Sequence, residues 1–228
     1  MVNIDTVYQT VLAIANKEQR GYITPQEFNL FANQAQMEIF EQYFYDENQF
    51  SRIPGNSTEH SDMLDLLEEK ISIFKVKSGI PINPLTQEGF FPSNIYRLGN
   101  LYGQFGKIEE VDENYLFNIS NSIVLLNQKN QVFTKYGNTF IVHPQDSSLS
   151  SVTATYVRKP INVNWGYNVI DENAIYDTNS SVNFEIHASE QTSLVMKILS
   201  YAGITLKDNT LYQVGEASEV KKIQQEKQ

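Results

Sequence analysis

The stretch Val132-Phe-Thr-Lys-Tyr-Gly-Asn-Thr-Phe-Ile-Val-His143 decides how the middle of this chain folds. Its two halves, 132–136 and 139–143, are rich in β-branched and aromatic residues and are separated by Gly137-Asn138. Such side chains favour strands, and a two-residue link of this type favours a tight turn between them. The stretch therefore predicts an antiparallel β-hairpin.

Short runs of similar composition lie on both sides of this hairpin, at 95–102, 106–111, 115–119, 123–126 and 152–157. The proline-containing segments 80–84 and 91–92 are predicted to be extended connectors, because a residue before proline avoids the helical region. These patterns together predict an antiparallel β-region of roughly five to seven short strands, typical of a small sandwich or barrel.

A helix-start signal precedes the β-region at Thr24-Pro25-Gln26-Glu27. Threonine is a good N-cap, proline suits the first helical position, and a glutamate three residues after the cap can bond back to it. The helix that begins here is predicted to run to about Tyr45. Its apolar face is formed by Phe28, Phe31, Ala32, Ala35, Ile39, Phe40 and Tyr43.

The opposite face of this helix carries the uncharged amides Asn29, Asn33, Gln36 and Gln42. Solvent-facing helix surfaces usually carry charges, so an amide-rich face can indicate packing against a neighbour. An ordinary polar face is the commoner explanation, and the sequence leaves both open.

Three further helices are predicted, at 4–15, at 62–73 and from Ser189 to a C-cap at Gly203. The domain prediction is an N-terminal helical part at 1–73, an antiparallel β-region at 74–165, an irregular connector at 166–188 and C-terminal helices at 189–228 that pack on the N-terminal ones. The expected fold class is α+β: a helical bundle formed by the N- and C-terminal helices, with an inserted antiparallel β-region.

Composition excludes several classes of function. Seventeen basic and 27 acidic residues give a net charge of -10, which disfavours gripping of a phosphate backbone. There is no cysteine, so disulfides, thiolate metal sites and a cysteine nucleophile are excluded. The N-terminus lacks a signal-peptide pattern, and no apolar run is long enough to predict a membrane span.

The residues that could bind a metal or take part in catalysis do not match a known site pattern. His60, His143 and His187 are not paired at metal-ligand spacing, and a structural or solvated role is the expectation for His187 beside Glu185 and Glu190. The acidic cluster Glu109-Glu110-Asp112-Glu113 is interpreted as a solvated hairpin tip. The sequence therefore predicts no catalytic, cofactor-binding or metal-binding residue, and no enzyme activity.

Two groups of segments carry a resemblance to a known family. The first is Gly21-Tyr-Ile-Thr-Pro-Gln-Glu-Phe-Asn29 with segments 32–36 and 39–43. The second is Ala154-Thr-Tyr-Val-Arg-Lys-Pro160 with segments 165–167, 181–185 and 194–204. Together they resemble structural proteins of tailed phages, especially neck ring proteins (head-to-tail connectors) of crAss-like phages.

The resemblance implies an adaptor-like ring, expected to be a dodecamer, below the portal in the neck of a short-tailed virion. It implies contacts with further copies, with the portal protein and with other neck and tail rings, and it implies no membrane. DNA would pass through the lumen during genome ejection without specific binding, since an acidic wall repels the duplex. The expected location is the virion, after assembly in the host cytoplasm.

Two other functions remain open on the sequence. One is a carbohydrate-active tail enzyme that uses carboxylates of the β-region. The other is a receptor-binding fibre module that uses exposed tyrosines and Trp165. Oligomeric state separates the neck protein from the fibre module, because a large closed ring favours the first and a trimer favours the second.

Overall fold

A computed structural model of the protein describes residues 1–17, 23–50, 58–120, 130–144 and 149–205. The chain divides into two compact units. The first unit comprises Met1–Ile73 together with Pro160–Gln228, and the second comprises Phe74–Lys159. The predicted strand at 123–126 and the chain after residue 205 lie outside the described residues.

The second unit is built on one seven-stranded sheet. Its strands are β1 (Lys75–Pro81), β2 (Glu88–Phe90), β3 (Ile95–Gly103), β4 (Gly106–Glu110), β5 (Val132–Tyr136), β6 (Thr139–His143) and β7 (Ser151–Arg158), with helix α4 (Glu113–Ser120) between β4 and β5. The spatial order is β1-β7-β3-β4-β5-β6-β2. An isolated bridge between Ile82 and Gly89 brings the two outer strands together, so the sheet is barrel-like and nearly closed.

A continuous apolar core fills the concave side of this sheet. Alternate residues of each strand point inward, as the pleat requires; in β7 these are Val152, Ala154 and Tyr156. Phe140 stands at the centre and packs its ring against Phe91. A side chain at Gly89 would collide with the Phe140 ring, so glycine is required there for β2 to pair with β6.

The first unit contains α1 (Ile4–Lys17), α2 (Pro25–Phe50), α3 (Thr58–Ser72), a 3-10 turn (Ala188–Glu190) and α5 (Gln191–Thr205). It also contains a two-stranded hairpin of β8 (Tyr167–Ile170) and β9 (Asn173–Tyr176). Its buried core draws on α1, α2, α5 and the segment 184–186, through Ile4, Val7, Phe28, Phe40, Phe184, Ile186, Leu194 and Ile198.

The expected fold class is wrong. The described chain is not a helical bundle of N- and C-terminal helices with an inserted antiparallel region. It has a nearly closed, barrel-like mixed sheet of seven strands, together with five helices. The sheet is mixed because β4 and β5 pair in parallel. Parallel neighbours need a crossover, and part of this crossover is α4, where residues 115–119 were expected to form a strand.

Other local expectations have mixed outcomes. The hairpin at 132–143 is confirmed, with Gly137 at a φ of 60° in its turn. Strand β1 runs from Lys75 to Pro81, so residues 80 and 81, which were expected to begin a connector, belong to a strand. The irregular connector expected at 166–188 instead contains β8 and β9, and Gly203 lies inside α5 rather than at its cap.

The predicted capping of α2 is confirmed. The backbone N–H of Thr24 donates to Glu27 Oε2 over 3.0 Å, and the N–H of Glu27 donates to Thr24 Oγ1 over 3.3 Å. The hydrogen bond from the backbone N–H of Thr24 lowers the pKa of Glu27 most, and the bond from the Thr24 hydroxyl lowers it further, because both stabilise the charged carboxylate. The helix begins at Pro25 and continues past the expected end to Phe50.

Candidate interaction surfaces

The amide face of α2 holds an extended segment of the same chain. Asn33 Oδ1 accepts from the backbone N–H of Val163 over 2.8 Å, while Asn33 Nδ2 donates to the Val163 carbonyl over 2.9 Å. Asn29 repeats this pattern one helical turn earlier, where its Oδ1 accepts from the Trp165 N–H over 2.7 Å and its Nδ2 donates to the Trp165 carbonyl over 3.3 Å. The two amides thus pair with alternate residues, as a neighbouring strand would.

Gln36 completes this row of amides. Its Nε2 donates to the Ile161 carbonyl over 2.8 Å, and its Oε1 accepts from the backbone N–H of Glu185 over 3.1 Å. We call Asn29, Asn33 and Gln36, with the backbone groups they bind, the amide seam. Because buried backbone groups must be paired, the seam is structural. At these three positions the amide face is therefore an internal contact, and the neighbour against which it packs is a segment of the same chain.

The acidic neighbours of His187 are engaged in internal bonds. Glu190 is buried and pairs with Lys70 Nζ at 2.7 Å. Glu185 is buried as well, and its Oε2 accepts from the Ile161 N–H over 2.8 Å. His187 Nδ1 accepts from the N–H of Ser189 and caps the 3-10 turn. The structure thus gives His187 the structural role expected from the sequence.

The other two histidines belong to other elements of the fold. His143 ends β6, half-buried, with its Nε2 3.4 Å from the hydroxyl of the buried Thr134. Burial lowers its pKa, because the protonated ring is poorly solvated there. His60 lies in α3, and its side chain is outside the described part. Within the described ranges, no three or more His, Asp or Glu side chains group as metal ligands.

The acidic cluster at 109–113 spans a strand-to-helix junction rather than a hairpin tip. Glu109 and Glu110 end β4, and Asp112 precedes α4, where its carbonyl accepts from the N–H of Leu116. Asp112 and Glu113 are exposed, as are the two glutamates. The expected solvation is confirmed and the expected turn type is wrong.

Trp165 is buried, with only 2% of its surface exposed. Its Nε1 donates to Asp5 Oδ1 over 2.9 Å. Its ring lies 4.3 Å from the ring of Tyr8, 5.8 Å from that of Tyr167 and 5.7 Å from that of Tyr176. The fibre-module alternative required an exposed Trp165, so that part of the alternative is wrong.

The β8–β9 hairpin extends from this aromatic cluster. Tyr167 and Tyr176 form its first cross-strand pair and hold its base against Trp165. At the other end, Asp171 and Glu172 have φ values of 48° and 65°. Two successive residues with positive φ are what a tight type I′ hairpin turn requires. The hairpin is therefore anchored at its base and tightly turned at its tip.

The tip of this hairpin, residues 169–175, exposes apolar side chains on both sides of a charged turn. Val169 is 67% exposed, Ile170 54% and Ile175 48%. Val169 pairs with Ala174, whereas Ile170 pairs with Asn173 and Ile175 with Asn168, so apolar side chains lie on both faces. A two-stranded hairpin is only marginally stable in water, and grouped exposed apolar residues usually mark interaction sites. This tip is the clearest candidate interaction surface of the first unit.

The outward face of β1, β7, β3 and β4 carries exposed cations. Lys75 and Arg97 both pair with Val157, so one row across three strands has a cation at each end. Lys77 faces the same way two residues along β1, and Lys107 of β4 pairs with Tyr102 of β3. We call Lys75, Lys77, Arg97, Tyr102 and Lys107 the basic face. Glu109 is its one carboxylate within the described residues of these strands.

Charge is divided unequally between the two units. Residues 74–159 contain eight Lys and Arg against six Asp and Glu, whereas the rest of the chain contains nine against twenty-one. The acidic character of the protein thus resides in the first unit, and the second is slightly basic. Sequence reasoning treated charge as one total and missed this division.

No protein-family model matches the chain, and no curated protein matches it significantly.

In the described ranges, every helix is too short or too polar to cross a bilayer.

Proposed function

We propose that this protein is a structural subunit of a phage virion neck. It forms a ring below the portal that connects the capsid to the tail and surrounds the DNA channel. Its partners are further copies of itself, the portal protein and the adjoining neck and tail rings. It acts by assembly and not by catalysis.

The observation that carries this proposal is the exposed apolar tip of the β8–β9 hairpin. Val169, Ile170 and Ile175 expose about half or more of their surface, on a hairpin whose base packs against Trp165. Folding leaves such side chains in water only at a free-energy cost of about 25 cal/mol per Å² of apolar area. Burial against another subunit recovers that free energy, which favours a protein that works in contact with others.

The arrangement of the buried polar groups supports assembly over chemistry. Glu185, Glu190 and Lys70 lie in the interior and are used in hydrogen bonds or ion pairs that hold the fold. Catalytic carboxylates need a cleft and a distance suited to the reaction. The carboxylates at 109–113 lie at the end of β4 and the start of α4, and all four are exposed to water.

Charge also fits the proposed position in the virion. The net charge of -10 gives a ring of several copies a strongly negative potential. A negative channel wall repels DNA and lets it slide, whereas a positive wall would bind it. The sequence resemblance to crAss-like phage neck proteins supplies the position below the portal.

The test is the mass of the purified protein, alone and mixed with its portal protein, measured by light scattering and by electron microscopy of the particles. We expect a closed ring of many copies, alone or once the portal is added. A protein that stays monomeric in both conditions, or forms a trimer, contradicts the proposal. Bovine serum albumin in place of the portal protein controls for non-specific crowding effects.

A further inference from the structure

We propose that the β8–β9 hairpin of one copy docks on the basic face of the next copy. This inference rests on the proposed ring and names the contact that builds it. The partner is a second copy of this chain, because each copy carries both of the complementary surfaces. The contact joins two different patches, so it can repeat from copy to copy, and it closes into the proposed ring when the rotation between neighbouring copies closes.

Charge complementarity is the first argument. The hairpin tip presents two exposed carboxylates, Asp171 and Glu172. The basic face presents cations on three strands, among them Lys77, Arg97 and Lys107, each exposed. Opposite charges across an interface select the partner and fix its register. Two tips would repel each other, so a symmetric tip-to-tip contact is disfavoured.

Apolar complementarity is the second argument. Ile170 directly precedes the turn that carries the two carboxylates, and Val169 and Ile175 lie further along the same two strands. Next to the cations, the receiving side offers Tyr102, which is 39% exposed, and Phe105 in the β3–β4 turn, which is 48% exposed. Tyrosine and phenylalanine are enriched in the centres of interfaces, with charges at the rim. Each surface thus has exposed apolar side chains near charges of one predominant sign.

The experiment is a charge exchange. The hairpin variant carries Asp171→Asn and Glu172→Lys, and the face variant carries Lys77→Glu and Arg97→Glu. A matched control carries Asp65→Asn and Glu69→Lys in α3, where both residues are exposed, and it changes net charge as the hairpin variant does. Circular dichroism and Trp165 fluorescence verify that each variant is folded.

We expect the hairpin variant and the face variant each to assemble at least about tenfold more weakly than wild type, with the control unchanged. A one-to-one mixture of the two failing variants should assemble, because each reversed surface then meets its complement. The variant with all four substitutions should assemble for the same reason. Recovery on mixing is the result that a general loss of stability cannot produce.

Assembly of the two variants at wild-type strength, or no recovery in the mixture, would overturn the docking contact while the ring itself stands. A wild-type protein that never assembles with its portal would overturn the proposed ring instead. If the face variant assembles normally but loses binding to a short DNA duplex, the basic face serves DNA and the docking proposal is wrong.

Discussion

The amide seam and the hairpin tip reverse the usual relation between polarity and burial. The seam is polar, yet Gln36 is buried and Asn29 and Asn33 are covered by the chain's own segment 161–165. The hairpin tip carries three apolar side chains, Val169, Ile170 and Ile175, yet all three are exposed. A polar helix face therefore does not identify a solvent-facing or partner-facing surface. An apolar side chain that remains exposed, as at the hairpin tip, is the better guide to an interface.

Trp165 links the two regions, so its removal should have the largest effect. Its backbone belongs to the amide seam and its ring seats the hairpin. We expect Trp165→Ala to lower the free energy of unfolding by roughly 3–5 kcal/mol, measured by urea denaturation followed by circular dichroism. Trp165→Phe keeps one aromatic ring there but loses the bond to Asp5 and part of the buried ring surface, so we expect a smaller loss. A cost as large as that of alanine would contradict the packing described.

Removal of one amide from the seam should have the next largest effect. Gln36→Leu leaves the Ile161 carbonyl and the buried Glu185 N–H without that partner. We expect a loss of about 2–3 kcal/mol, since an unpaired buried group costs about 1–3 kcal/mol. Gln42→Leu is the matched control, because Gln42 bonds only to Asp46 within α2 in the bonds described. Equal losses of unfolding free energy in the two variants would mean that the bonds of Gln36 stabilise the fold no more than those of Gln42.

Loss of the α2 cap should cost less. Thr24→Ala removes the hydroxyl that accepts from the Glu27 N–H, and we expect a loss of about 1 kcal/mol. Thr10→Ala in the middle of α1 removes a hydroxyl that, among the bonds of the described residues, donates only to the Thr6 carbonyl. Thermal denaturation should therefore show a lower Tm for the first variant and a nearly unchanged Tm for the second.

A smaller, pH-dependent effect is expected at His143. Burial lowers its pKa in the folded state, so the unfolded chain binds the proton at higher pH. The contribution to stability is thus complete above the ordinary pKa of histidine and is lost as the pH falls through that value towards the lowered one. Urea denaturation at a series of pH values should show this decline, reduced in His143→Gln. An NMR titration midpoint at or above the ordinary value would contradict it.

Substitution of the hairpin tip should have the smallest effect on the subunit. Val169→Ser with Ile175→Ser changes only exposed side chains, so we expect the free energy of unfolding to change by less than about 0.5 kcal/mol. Assembly should nevertheless weaken. A large loss of subunit stability would mean that the tip is part of the fold rather than an interaction surface.

Sequence reasoning reached those parts of the fold that short-range signals specify. The cap at Thr24, the helix at 4–15 and the 132–143 hairpin depend on neighbours along the chain, and all were predicted correctly. Residues 115–119 have strand-like composition but form α4, because Asp112 starts a helix and the sheet continues through a parallel pair. Tertiary context overrode propensity there.

The candidate surfaces were harder to predict because they depend on partners distant in sequence. The seam joins residues about 130 positions apart, which no periodicity can indicate. The hairpin was missed because its turn, Asp171-Glu172, lacks the glycine that usually marks a two-residue turn. The basic face was missed because Lys75 and Lys77 alternate in a strand that was interpreted in part as a connector.

Hydrogen–deuterium exchange of the assembled ring and of the free subunit tests the central claim most directly. The account predicts that the backbone amides of residues 167–176 become strongly protected on assembly, while those of Val163 and Trp165 in the amide seam are protected in both states. Equal exchange of the hairpin in ring and subunit would show that no copy covers it, and the proposed assembly surface would then be wrong.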